Sequence, residues 1–531
     1  MGTLWFGGTF YTMCEVNDTV EAVYTHSGRI LKVGTYQRLK AQFKSDIEEE
    51  VDLTGKYIFP GFVDSHLHII GQGEKLAHLD LSACMSAAEV LACVRERVKS
   101  MPSGHWLFGE GWNDNQWNEQ RIIDCKELDD ISTHHPIVLT RVCRHALIAN
   151  TKAIELAQLT EGVEDPQGGK VIRDDNNRMT GYFLDTAQDL IKQAVPDRST
   201  EELKQLIDLS IDYLLRLGLV GGHSEDLAYY GKGSFDKVSQ AYKQSIDGDA
   251  RKFRAHLLVH HDVIDDFAKQ SLRYKEGTPF VEYGAMKIFA DGALGGRTAW
   301  LEASYHDDPS NTGLAIHTNE ELESLIAKAR SLQLPVAVHA IGDGAINIVA
   351  QLLVAYPLAQ GYRDRIIHAM IVNQPLINKL SKLNVVLDIQ PTFVSSDFPW
   401  VIQRLGSERV KTAYPWRTFL DHGIACAAGS DAPIEDVNPL YGIEAFVERR
   451  STIDQQIYNA EQQLTVYQAI SLYTKGSAYV IGKEQETGLI KEGYLADFTI
   501  LEQDPFQVEK HMIHKINVGM TVVDGTIVYH R

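Results

Sequence analysis

The chain has 531 residues, 44% of them hydrophobic and 23% charged, with a mean hydropathy of −0.19. That length exceeds one small core and fits a large barrel with additions, or two to three domains. A formal net charge of −20 with no basic run argues against a phosphate-binding surface, so neither nucleic acid nor an anionic membrane is an expected partner.

The N-terminal MGTLWFGGTFYTM lacks the basic and apolar regions of a signal peptide, and Phe6 stands where a myristoylation signal needs Ser or Thr. No apolar run reaches the roughly 18 residues of a membrane-crossing helix. The six cysteines are scattered without a C-x-x-C pair, which predicts reduced thiols and a cytoplasmic location. Residues 1–58 read as strands with turns at Gly7-Gly8 and Ser27-Gly28, and residues 485–531 echo them with a hairpin signal at Asp524-Gly525. Both ends together predict one composite β-sandwich domain.

Phe59-Pro60-Gly61 then leads into a short apolar strand ending in His66-Leu67-His68. Residues two apart on a strand share a face, so the two imidazoles point the same way, as a metal site requires. From here to about residue 484, helical and strand-like segments alternate, which predicts an α/β fold built on a parallel (β/α)8 barrel over 59–484. Helices are predicted over Ala87–Lys99, Glu201–Leu217, Asn319–Leu332 and Val466–Tyr479, with N-terminal caps at Ser199 and Thr318. Residues 72–198 exceed one strand-helix unit, contain a hairpin in GGKVIRDDNNRMTGYF, and predict an inserted subdomain over the barrel mouth. HWLFGEG, PIVLTRV, GLVGGHS and FRAHLLVH compete for barrel strands 2 and 3, a choice the sequence leaves open.

The later strands end in Lys287 (GAMKIF), His339 (VAVHAIGDG), His368 (IIHAM) and Asp431 (AAGSDAP). Each has an ordinary explanation alone: a core histidine, a snorkelling lysine, a helix cap. Together, in order, at equivalent strand ends after an H-x-H, they form a zinc-type donor set at the face where such barrels keep their sites.

FPGFVDSHLHI, MKIFADGALGGRTAW, VAVHAIGDGA, IIHAM, QPTFVSSD and AAGSDAPI resemble the motifs of the amidohydrolase superfamily. They are closest to the amidohydrolase 3 branch that includes the N-substituted formamide deformylases, and the likeness runs from about residue 50 to the C-terminus. The resemblance implies two divalent metal ions, of the zinc type, held by His66, His68, Lys287, His339, His368 and Asp431. A protonated lysine offers only donors. Burial near positive charge favours the neutral amine, which can take up carbon dioxide, so Lys287 bridges two metals only as a carbamate. Without that change it sits back from a single-metal site.

The implied activity is hydrolysis of a non-peptide carbon–nitrogen bond, in an amide, N-acyl or N-formyl compound of small size, by a metal-activated hydroxide with Asp431 as general acid and base. His145 is the family-like candidate to assist; His223 could assist or be structural. Arg297 could clamp a carboxylate or fix its own loop, and Trp112 and Trp400 could line the substrate pocket or pack. Gly221-Gly222-His223 departs from the acidic or serine-rich strand end of the branch, which leaves pocket shape open. A homodimer is among the expected assemblies. The rivals are a mononuclear deaminase of an amino-substituted ring and a catalytically silent binding protein.

Overall fold

The computed structural model describes residues 2–531 other than Gln120, Cys143, Arg144 and Gln167. In chain order, β1 (Gly2–Tyr11), β2 (Thr19–His26), β3 (Arg29–Gly34), β4 (Glu49–Asp52) and β5 (Tyr57–Pro60) precede β6 (Phe62–Leu67). Six strands follow: β7 (Leu79–Asp80), β8 (Leu107–Trp112), β9 (Ile137–Arg141), β10 (Ala146–Ala149), β11 (Gly169–Arg173) and β12 (Met179–Asp185). Next come β13 (Leu219–Ser224), β14 (Arg254–His260), β15 (Val281–Phe289), β16 (Val336–Ala340), β17 (Asp364–His368), β18 (Val385–Ile389) and β19 (Ala425–Ala428). The chain closes with β20 (Phe498–Leu501), β21 (Val518–Val523) and β22 (Thr526–His530).

Two units are distinct, residues 1–73 with 199–531, and residues 74–198. In the first, the chain ends share one hydrogen-bonded sheet in the order β22-β21-β20-β5-β1-β2-β3, with β4 beside β1. Its join is antiparallel, Ile500 opposite Ile58, over a core that includes Trp5, Phe10, Ile58 and Phe498. The β21–β22 hairpin turns at Asp524 and Gly525, both with positive φ (56° and 70°), the pair that a type I′ turn demands.

The same unit holds the barrel, β19-β18-β17-β16-β15-β14-β13-β6, whose neighbouring strands pair in parallel. Its ends meet through Asp431 N–H to the His66 carbonyl and His68 N–H to the Ala432 carbonyl, each 2.7 Å. This assigns GLVGGHS and RAHLLVH to barrel strands 2 and 3. Strands covered on both faces read as unbroken buried runs, as β13, β17 and β18 do. HWLFGEG and PIVLTRV instead form β8 and β9 of the second unit, in a sheet ordered β11-β12-β10-β9-β8-β7. There β8 alternates buried Leu107 and Gly109 with half-buried Phe108 and Glu110, the mark of a strand with one covered face.

Helices begin where hydroxyl caps stand. Ser199 with Glu202 and Thr318 with Glu321 each close a reciprocal capping box. The helix predicted over 466–479 is interrupted by a π turn at Leu472–Gly476. Gly476 lies against β19 there, and a Cβ would come within 2.5 Å of the Cys426 carbonyl oxygen. Among the described residues no helix is long and apolar enough to cross a membrane.

Candidate metal centre

The carboxyl ends of the barrel strands bring together side chains far apart in the sequence. His66 Nε2 and His68 Nε2 each lie 3.4 Å from Asp431 Oδ1, and Lys287 Nζ lies 3.4 Å from His66 Nε2. His368 packs against His66, ring centroids 5.8 Å apart, and against His339 at 4.5 Å. All six residues line a cavity of about 540 Å³. His66, His68 and Asp431 present three donor atoms within 4.8 Å of one another.

Groups behind the donors fix which ring nitrogen faces inward. His68 Nδ1 contacts the Glu225 carbonyl at 2.7 Å and His368 Nδ1 contacts Gln390 Oε1 at 2.8 Å. Both acceptors demand N–H at Nδ1, which leaves each Nε2 lone pair for a ligand. His339 Nε2 lies 3.5 Å from the Gly292 carbonyl and 3.6 Å from Asp291 Oδ1, which leaves its Nδ1. Asp291 is itself buried and accepts backbone N–H groups of Trp300, Ile341 and Gly342, tying the loops after β15 and β16 together.

Electrostatics suit a cation. Burial holds His66 and His339 well below the ordinary imidazole range and lowers His368 to about 4, so these rings are neutral lone-pair donors. Burial opposes charge on His68, but the hydrogen bond to Asp431, followed by Glu225, raises it to about 9. Asp431 stays below the usual carboxylate range: burial works against it, and the His68 contact and nearby His368 outweigh that. Burial also lowers Lys287, and among the described residues no carboxylate lies within ion-pair distance of its amine. Neutral imidazoles, an ionised carboxylate and a desolvated amine are the chemistry a zinc-type ion requires, so the residues fit the metal.

Trp400 lines the cavity, with its indole N–H donating to the Ser396 carbonyl at 3.1 Å. Arg297 is not among the lining residues. Its guanidinium holds the Asp307 carboxylate, with Nη2 2.9 Å from Oδ2. His223 is buried inside the barrel, its Nδ1 3.3 Å from Arg365 Nη1 and its ring beside His256, and it is not among the residues lining the cavity. In the second unit, Trp112 is a fully buried core residue donating to the Leu139 carbonyl at 3.2 Å. His145, also in that unit, is exposed and 3.1 Å from Asp185 Oδ1. Asp291, Gln390 and Glu225 escaped the sequence reading. Their one legible signal is position, each one or two residues past the end of a barrel strand.

A parallel barrel whose strand ends converge on histidines, an aspartate and a buried lysine has the architecture of a metal-dependent hydrolase. The chain belongs to the amidohydrolase family, whose model matches residues 49–529. It is 46% identical to YtcJ of Bacillus subtilis (strain 168), a protein with an amidohydrolase name, over 100% of both chains. It is 25% identical to the N-substituted formamide deformylase of Arthrobacter pascens, over 97% of this chain and 96% of that one. The crystal structure of an uncharacterised metal-dependent hydrolase from Pyrococcus horikoshii OT3 is similar at a TM-score of 0.82 and 28% identity, over 96% and 99% of the two chains.

Proposed function

We propose that the protein hydrolyses a carbon–nitrogen bond outside peptides, in a small amide, N-acyl or N-formyl amine. The observation that carries this reading is Asp431, whose Oδ1 lies 3.4 Å from both His66 and His68 in the lining of an otherwise largely apolar cavity. The activity that names the Arthrobacter relative, deformylation of N-substituted formamides, supports the bond type. His66, His68 and Asp431 would hold one divalent ion of the zinc type, and His339 and His368 a second, with Lys287 between them as its carbamate. When bound, the ions supply Lewis acidity and an acidified water.

The chain's own groups do the rest. Asp431, ionised because its neighbours outweigh its burial, accepts the proton of the attacking water as the new carbon–oxygen bond forms. It then delivers that proton to the nitrogen as the carbon–nitrogen bond breaks, so an amine departs and a carboxylic acid remains. Gln390 and the Glu225 carbonyl hold His368 and His68 in the ring orientation this requires. Asp431→Asn is expected to retain at least one bound metal by elemental analysis while kcat falls by roughly 10²–10⁴. A near-normal kcat in that variant would refute the assigned role.

A mononuclear centre is the second reading, favoured by one observation: the three donors within 4.8 Å of one another are His66, His68 and Asp431, without His339 or His368. It would suit deamination of an amino-substituted ring. Two metals per chain, with a carbamate carbonyl signal at Lys287, would eliminate it.

A further inference from the structure

Outside the barrel centre, a second group of metal-ligating side chains stands at the end of β14. His260, His261 and Asp262 keep donor atoms within 4.8 Å of one another, and none of the three lines the large cavity. His260 Nδ1 accepts the Asp262 N–H at 3.1 Å, so its lone pair is spent on capping the turn. His261 Nε2 lies 3.3 Å from Asp262 Oδ1. Zinc bonds of 2.0–2.1 Å in a tetrahedron set ligand atoms roughly 3.3–3.4 Å apart. The barrel donors show the same spacing, 3.4 Å from Asp431 Oδ1 to each of His66 and His68.

His317 supplies the third group. Its ring packs 5.1 Å from that of His261, within the 4.5–5.8 Å span of the neighbouring histidine pairs in the barrel centre. The chain returns it to this place from a long loop after β15. Ile316 N–H donates to the Ala290 carbonyl at 3.0 Å and Ala315 bridges to Asp291, beside the β14–β15 pairing of His260 with Lys287.

The surroundings suit a cation. His261 Nδ1 and His317 Nε2 are buried without a hydrogen-bond partner, and unmatched buried nitrogens are the mark of an incomplete site. Burial, then the neighbouring His261, holds His317 below the ordinary imidazole range, which makes it a neutral lone-pair donor. Among the described residues no lysine or arginine pairs with Asp262, and Glu321 adds negative charge near His317. The Asp262 side chain is 69% exposed, so water has access to a fourth position.

We infer that His261, Asp262 and His317 hold a divalent ion of the zinc type, separate from the barrel centre, with His260 capping the turn that presents the first two. Such an ion fastens the end of β14 to the returning loop of residues 290–317. That loop carries Ala293, Leu294 and Gly295 of the cavity wall and Asp291 beside His339. The role is structural and does not depend on which bond the barrel centre cleaves.

The test strips the full chain with chelator, reloads it with zinc, desalts it and counts zinc by elemental analysis in the parent, His317→Ala and Asp262→Asn. His317→Ala is expected to hold one zinc per chain fewer than the parent. Asp262→Asn, a change at an exposed side chain, is expected to bind one of its ions about 10–100-fold more weakly in competition with a chromophoric chelator. Equal counts and affinities in all three proteins overturn the inference. Should His317→Ala fail to fold, Asp262→Asn decides alone, and an unchanged affinity overturns it. Zinc is also expected to slow deuterium uptake over residues 290–317 more in the parent than in either variant, and equal slowing overturns the fastening role.

Discussion

His368 and Asp431 both hold left-handed backbone angles, φ 77° and 60°, which cost a non-glycine residue about 1–3 kcal/mol. Both are proposed metal-donor positions, so on that reading the strain falls where it aims a side chain rather than where it eases a turn. Asp397 shows a second local cost, a carboxyl lifted to about 8 by burial. Its unfolded value is about 3.9, so between roughly pH 4 and 8 the folded chain keeps a proton that the unfolded chain has released. Folding stability therefore falls across that window as pH rises. Asp397→Asn removes the titration: its stability relative to the parent should be smallest near pH 4 and become steadily more favourable toward pH 8 in urea melts. A gap that stays constant across the window would contradict the buried, partner-poor carboxyl.

Barrel closure depends on one more buried acid. Asp64, inside β6, accepts the His66 N–H at 3.0 Å and the Ser430 N–H at 3.1 Å, joining the first barrel strand to the loop that carries Asp431. Burial raises its carboxyl to about 7. Asp64→Ala would leave two buried amides without acceptors, at about 1–3 kcal/mol each. The expected result is a lower urea midpoint together with weaker metal affinity, since His66 and Asp431 lose their common anchor. Weakened stability with metal affinity untouched would mean the two strand ends are registered by other contacts.

At the scale of the molecule, ions bound only by the folded chain stabilise it by mass action. A metal at a hundredfold its dissociation constant contributes about 2.7 kcal/mol. Chelation should therefore lower Tm, and zinc should restore it in a concentration-dependent way. A Tm indifferent to chelator would count against a site assembled from five different barrel strands. The acidic surface that net charge −20 implies belongs to the same scale. It disfavours polyanionic partners and favours the approach of small cationic compounds.

The convergence of the candidate donors was legible because barrel chemistry concentrates at strand ends, and strand ends carry local signals. An apolar run stopping at His66-Leu67-His68, Lys287, His339, His368 or Asp431 is a short-range pattern. The capping boxes at Ser199 and Thr318 were legible for the same reason, since a cap is complete within four residues. Which segments became β13 and β14 was not, because four runs had similar local propensity and only burial on both faces separates a barrel strand from one in the other sheet. Arg297, Trp112 and His223 were equally ambiguous: an arginine, a tryptophan or a histidine can serve a core, a loop or a ligand with the same composition around it. Their partners, Asp307, Leu139 and Arg365, are distant in sequence or unmarked by any motif. The chain by itself thus determined the kind of site, through residue types at strand ends. Only the tertiary structure decided which side chains converge on the cavity, because proximity is a property of the folded chain and not of the sequence around each residue.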